Sequence, residues 1–186
     1  MSDLVATWEV PLYDRIHKIE FEHGTTTGRR MVRVDGEIIS QVGWMFKLVG
    51  NESFEIKNEN GDTFAKCEIA INACSGFTYE YILYVNGKQF KTFRDKQSKI
   101  MRTWHQEIGG KEWRIVLEKD TLDVWVNGQK RETNHEFAEE GTEIKFSLDD
   151  ENEFGGCIRT VSSGNKKQGM DYQLLVNDMP IDQNNT

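Results

Sequence analysis

Four dipeptides, Asp35-Gly36, Asn60-Gly61, Asn86-Gly87 and Asn127-Gly128, constrain what this chain can fold into more than any other feature. A two-residue hairpin turn needs positive φ at its centre. Gly reaches that region without a Cβ clash, and Asn or Asp tolerates it. The flanks agree with hairpins. Met31-Val32-Arg33-Val34, Tyr81-Ile82-Leu83-Tyr84-Val85 and Asp123-Val124-Trp125-Val126 lead into three of the turns, rich in residues that suit a pleated surface. Ile19-Glu20-Phe21, Ile69-Ala70-Ile71, Arg114-Ile115-Val116-Leu117 and Ile144-Lys145-Phe146-Ser147-Leu148 have the same character. No stretch carries a sustained apolar stripe at i, i+3, i+4, i+7 spacing. Pro11 and Pro180 are the only prolines. The pattern predicts an all-β protein.

The chain also repeats itself. Trp8 and Trp104 both open a strand, 96 residues apart, and at that offset His17–Glu22 lies on Trp113–Glu118. Val34-Asp35-Gly36 matches Val126-Asn127-Gly128 at 92, and Phe46–Gly50 matches Phe137–Gly141 at 91. Tyr81–Gly87 matches Tyr172–Asp178, again at 91. Offsets that only shrink are what small loop deletions in a tandem duplication leave behind. Each half is expected to be an antiparallel meander folded into a β-sandwich or partly open barrel, since a single sheet would leave one face and two edges bare. The expected domains are 1–92 and 93–186, with the boundary in the basic segment 91–102. That segment has neither Gly nor Pro and is read as strand continuing from one domain into the next.

Charge is unevenly placed. The formal net charge of −8 equals that of one stretch, Glu132–Glu153, where nine acids face Lys145 alone. Lys91–Arg102 carries five bases against Asp95. The acidic balance argues against a duplex nucleic-acid binder, whose affinity rests on Lys and Arg at phosphates. No apolar run approaches the roughly 20 residues that span a bilayer, and the first residues lack the basic start and apolar core of a secretory signal. No membrane insertion is therefore expected. Cys67, Cys74 and Cys157 form no CxxC and are read as reduced thiols, which with the absent signal points to the cytoplasm.

Catalytic chemistry finds no pattern. His17 and His23 share one face of a strand but stand about 20 Å apart, too far to share a metal or a proton. His105 and His135 have no partner motif. There is no HExxH, no GxSxG elbow and no zinc spacing, so no catalytic, metal or cofactor-binding residue is assigned. Ser162-Ser163-Gly164-Asn165-Lys166-Lys167 lacks the spacing of a phosphate-binding loop and is read as a turn. Asp149-Asp150-Glu151 could hold calcium only weakly. Cys67 alternates with Ile69 and Ile71 and reads as a small core residue, with Cys74 more exposed.

Trp44-Met45-Phe46 is the densest apolar cluster. Three consecutive large residues put side chains on both faces of a strand, and the run reads as a strand held between its own core and a domain interface. Its functional alternative is a docking patch, with Glu139, Glu140 and Glu143 of the acidic stretch as a second candidate protein-binding surface.

Several strings resemble the Fas apoptotic inhibitory molecule family: His17–Thr26, Trp44–Gly50, Ser75–Tyr81, Arg114–Asp120 with Asp123-Val124-Trp125, and Val161–Gly164. The resemblance runs in order from about Asp3 to Ile181. It departs at Glu37–Gly43, Lys57–Thr63 and Glu151–Gly156, which read as turn-like, and in the tail. What it implies is a cytosolic, non-enzymatic protein of two β-sandwich-like domains that protects against apoptosis triggered by Fas-type death receptors. Its partners would be proteins of the death-receptor pathway. It also implies a link to neurite-outgrowth signalling and to protection against stress-induced protein aggregation. A holdase that binds unfolded clients is thus a second expectation, and a small-ligand-binding β domain, suggested by the aromatic content, is a third.

Overall fold

In a computed structural model of the chain, residues 3–139, 141–162 and 169–181 are described. The chain divides into two compact units, Met1–Lys99 and Ile100–Thr186. In the first, β1 (Leu4–Pro11), β2 (Ile16–His23), β3 (Arg30–Val34) and β4 (Glu37–Val42) form one antiparallel sheet in that order. The second sheet has β5 (Gly50–Lys57), β6 (Thr63–Cys74), β7 (Thr78–Val85) and β8 (Lys88–Gln89), followed by helix α1 (Phe90–Ile100). In the other unit, β9 (Met101–Ile108), β10 (Lys111–Glu118), β11 (Val124–Val126) and β12 (Gln129–Arg131) make one sheet. The last contains β13 (Asn134–Ala138), β14 (Gly141–Ser147), β15 (Gly155–Ser162), β16 (Met170–Val176) and β17 (Met179–Pro180). The protein is all-β with sandwich-like units, and none of the four sheets closes into a barrel.

The duplication is visible in the registers. Trp8 lies opposite Ile19, which lies opposite Val34; in the second unit Trp104 lies opposite Ile115, which lies opposite Val126. The two cores separate cleanly along the chain, one built from Val10 to Phe93 and the other from Trp104 to Val176.

Four hairpin turns share one device. Asp35, Asn86, Asn127 and Asn177 hold φ of 53°, 49°, 47° and 48°. Each backbone N–H donates at 2.8 Å to the strand beyond its hairpin, at the carbonyls of Lys18, Lys66, Arg114 and Gly155. The same four strand residues donate their own N–H to the turn side chains at 2.8–3.0 Å. Each turn therefore fixes three strands.

Asn60-Gly61 departs from the expected hairpin turn. Only Gly61 has positive φ, and the loop is organised by Asn58, whose Oδ1 accepts from the N–H groups of Asn60 and Asp62. Residues 37–42, read as turn-like, are strand β4, because Asp35-Gly36 returns the chain along β3. The basic segment corrects a third expectation, residues 90–100 being a helix and not a continuing strand. Lys, Arg and Gln are good helix formers, Lys99 suits the last turn, and Phe90 and Phe93 supply the contact with the first core.

Strand β2 shows how alternation becomes a layer. His17, Ile19, Phe21 and His23 all point inward and are at most 2% exposed. A histidine therefore closes each end of an apolar row. His17 sits between two carboxylates, Nδ1 at 2.7 Å from Asp35 and Nε2 at 2.9 Å from Asp14. Burial disfavours the charged ring, but the hydrogen bonds to Asp14 and Asp35 outweigh it, so its pKa is raised. Asp14 is correspondingly held low: burial works against its charge and His17 restores it. His23 meets the Tyr81 hydroxyl at 2.7 Å, and its pKa is lowered by burial and by the nearby Arg30 cation.

These opposite shifts fix opposite pH dependences. The stabilisation at His17 is complete below the unfolded histidine pKa of about 6.5 and is lost as pH rises through the raised folded value. That at His23 is complete above about 6.5 and is lost as pH falls through the lowered value. Urea unfolding at several pH values between 5 and 8 should show the destabilisation by His17→Gln shrinking as pH rises. For His23→Gln it should shrink as pH falls. Parallel profiles would contradict the assignment.

Candidate functional site

Between β4 and β5 the chain does not form the strand expected of Trp44-Met45-Phe46. Residues 43–49 are irregular, and two of the three large side chains face solvent, Trp44 at 57% and Phe46 at 91% exposure. Their ring centroids lie 4.1 Å apart at 73°. Met45 is half-buried.

Buried polar groups hold the loop in this position. Arg30, 3% exposed, donates to the carbonyls of Lys47 at 3.3 Å and Val49 at 2.9 Å, and pairs with Glu52 at 2.9 Å. The Met45 N–H donates to the Thr27 carbonyl at 3.0 Å. Beneath Met45 runs Gly28, at φ +69°, where a Cβ would lie 2.5 Å from the Met45 carbonyl oxygen, so the approach requires glycine. Around this anchor, Glu22 pairs with Arg33 at 2.8 Å, and the His23 ring meets Tyr79 edge-on at 5.1 Å. The exposed aromatics thus stand on a fixed base.

A third exposed aromatic lies at the same end of the unit. Phe77 is fully exposed at the tip of the β6–β7 hairpin and holds φ +60°. A bulky residue in the left-handed region costs on the order of 1–3 kcal/mol, which the surrounding hairpin must offset. Gly50 lies opposite Ile71, three residues before β6 ends at Cys74. The loop entering β5 and the Phe77 tip therefore lie at the same end of the unit, about 10 Å apart along β6. Trp44, Phe46, Phe77 and the 37%-exposed Val49 make that end apolar.

The acidic stretch belongs to the second unit, and ion pairs neutralise part of it. Glu136 meets Lys145 at 2.7 Å, Glu143 meets Arg159 at 2.9 Å and Asp150 meets Arg131 at 2.6 Å. Of the three acids predicted as a surface, Glu139 is exposed, Glu143 is half-buried in its pair, and Glu140 lies outside the described residues. Asp149 is occupied locally, its carboxylate facing the Phe154 N–H and its carbonyl accepting from the Ser147 hydroxyl. Phe137, which the repeat matches to Phe46, is also 91% exposed, but on strand β13.

Other reactive groups sit in structural roles. Burial pushes the Cys67 thiol up to about 12 and also raises that of Cys157, so neither is an activated thiolate. His105 receives a hydrogen bond from Arg114 at 3.0 Å, and His135 meets the Thr133 hydroxyl at 3.0 Å. Among the described residues no three His, Cys, Asp or Glu groups come together as metal ligands. The segment Ser162–Lys167, read from the sequence as a turn, lies almost wholly outside the described residues. Two open surface clefts, of about 530 and 770 Å³, flank β5 and have charged rims. No helix among the described residues is long and apolar enough to cross a membrane.

Comparison with known proteins matches residues 4–184 to the family described as Fas apoptotic inhibitory molecule (FAIM1). Fas apoptotic inhibitory molecule 1 of Mus musculus is 49% identical over 182 residues, covering 97% of this chain and 97% of that protein. The Homo sapiens protein of that name is 48% identical over 181 residues, with the same coverage of both chains. That of Bos taurus is 48% identical over 181 residues, 97% of this chain and 87% of the relative.

Arg30 is the residue on which this end depends. Arg30→Met removes the cation from Glu52 and frees two loop carbonyls. It should cost about 3 kcal/mol in urea unfolding, as for other broken buried pairs. Hydrogen exchange at residues 45–50 should accelerate even in conditions where the unit stays folded. Unchanged exchange there would show that the loop is held by something else.

Proposed function

Because the chain belongs to the Fas apoptotic inhibitory molecule family, we propose that it restrains Fas-type apoptosis in the cytoplasm by holding a protein partner, without catalysis, at the aromatic end of its first unit. The observation that carries this reading is the packed pair Trp44 and Phe46, with Phe77 at the same end of the unit, large apolar side chains in water beside a base fixed by Arg30 and Gly28. Exposed aromatics cost solubility, and Trp and Phe are enriched where interfaces form. A rigid base lowers the ordering cost of binding. The left-handed φ of Phe77 adds to this: backbone strain persists at sites where it serves a purpose.

A second reading, a holdase for unfolded clients, draws on the same apolar end and on the exposed outer strands of the sheets. The two differ in selectivity: a docking site keeps one partner, whereas a holdase suppresses light scattering from many heated proteins.

The test uses cells lacking the protein, supplied with wild-type or variant chains and challenged through a death receptor. Trp44→Ser/Phe46→Ser should fold normally and protect poorly. Phe77→Asn, which relieves the strained φ, should raise stability by up to about 1 kcal/mol while weakening protection. Full protection by both folded variants would sink the proposal.

A further inference from the structure

The two units differ at one edge. In the second, β13 covers β14 over five residues, from Asn134 opposite Lys145 to Ala138 opposite Gly141, and the Glu136–Lys145 ion pair ties the strands together. In the first, the matching stretch bends away, and β5 is the outermost strand of its sheet among the described residues. It is eight residues long, has no proline, and borders a cleft of about 770 Å³ whose opposite wall carries Ile38 and Ile39, 48% and 40% exposed. Its pairing with β6 shifts register once, between Ile56 and Lys57, and a long outer strand with no strand laid over it is a template for another strand.

The sequence of β5 specifies which strand. Its exposed face carries Glu55 and Lys57, with Ile56 between them turned inward. An antiparallel neighbour satisfying this edge needs a base opposite Glu55, an acid opposite Lys57 and an apolar residue opposite Ile56, because cross-strand pairs favour opposite charge and shared polarity. Read in its own direction, that neighbour is acid, apolar, base, which is Glu55-Ile56-Lys57 itself.

We propose that β5 pairs antiparallel with β5 of a second copy of this chain, with Ile56 on the twofold axis and Glu55 of each copy opposite Lys57 of the other. The contact is self-complementary, as a closed dimer requires. Within one chain Lys57 stands 3.9 Å from Glu55, which also accepts a hydrogen bond from Thr63 at 3.1 Å and lies opposite Lys66. Dimerisation exchanges the long Lys57 contact for two cross-strand pairs. The paired edge is distinct from the aromatic end, so its test does not depend on the function proposed above.

Sedimentation equilibrium of the full chain from micromolar to millimolar concentration reads the association directly. Wild type should dimerise. Glu55→Lys and Lys57→Glu, each placing like charges opposite one another, should each weaken dimerisation about tenfold or more. The double variant Glu55→Lys/Lys57→Glu should restore it. The decisive arm mixes the two single variants: one presents two lysines and the other two glutamates, so together they should form a heterodimer more tightly than either variant associates with itself. Circular dichroism confirms that each variant is folded. A wild type that is monomeric at millimolar concentration overturns the proposal. So do single variants that dimerise like wild type, or a mixture that fails to associate.

Discussion

The double hydrogen bond between a turn residue and the strand beyond its hairpin underlies this structure. An ordinary hairpin turn fixes two strands. Here Asp35, Asn86, Asn127 and Asn177 each give a backbone N–H to a third strand and accept one back through the side chain. A one-residue slip would turn every buried side chain outward, so a device that pins three strands at once fixes which residues reach the core. Gly cannot replace the first turn residue without losing the side-chain acceptor. Ala would lose the acceptor and strain the backbone. The recurrence of the device in all four sheets is a stronger mark of duplication than the similarity of the cores.

The first unit elaborates this scheme with charge. Asp35 serves the Lys18 N–H and also pairs with His17 and Arg15, so one turn residue closes one end of the core row on β2. In the second unit Trp113 takes the place of His17 and Asn127 that of Asp35. The indole N–H donates to the Ile108 carbonyl at 3.2 Å instead. One copy solves the end of the row with an ionic triad and the other with an aromatic ring, and both leave the apolar row intact.

Residues whose role is set by near neighbours were legible in the sequence. The Asp35-Gly36, Asn86-Gly87 and Asn127-Gly128 turns, the alternating strands and the core position of Cys67 follow from spacing two or three residues long, and the repeat from comparing such local strings between the halves. What failed needs partners far along the chain. Helix α1 escaped because only Phe90 and Phe93 touch the core, too few to print a periodic stripe. Strand β4 escaped because its pattern is mostly exposed, which in sequence looks like a loop. Trp44-Met45-Phe46 suggested a strand, yet Arg30 and Thr27, some 15 residues back, pull the chain into another path. Phe77 had a local signal, a large aromatic directly after Ser75-Gly76 where a turn normally places a polar residue. Nothing in the sequence showed that it would share an end of the unit with Trp44 and Phe46, because that follows from the pairing of β5 with β6.

The separation of the two cores along the chain bears on how the protein is made. Core contacts of the first unit end at Phe93, and those of the second begin at Trp104. All hairpins of the first unit close between neighbouring strands, and short loops cost little closure entropy. Once the chain up to Phe93 has emerged during synthesis, every core residue of this unit is present. Domains fold as units during synthesis, the N-terminal one first. The nascent chain can therefore bury its first hydrophobic core before the second near-copy emerges, which shortens the interval in which two such similar sets of strands could exchange partners.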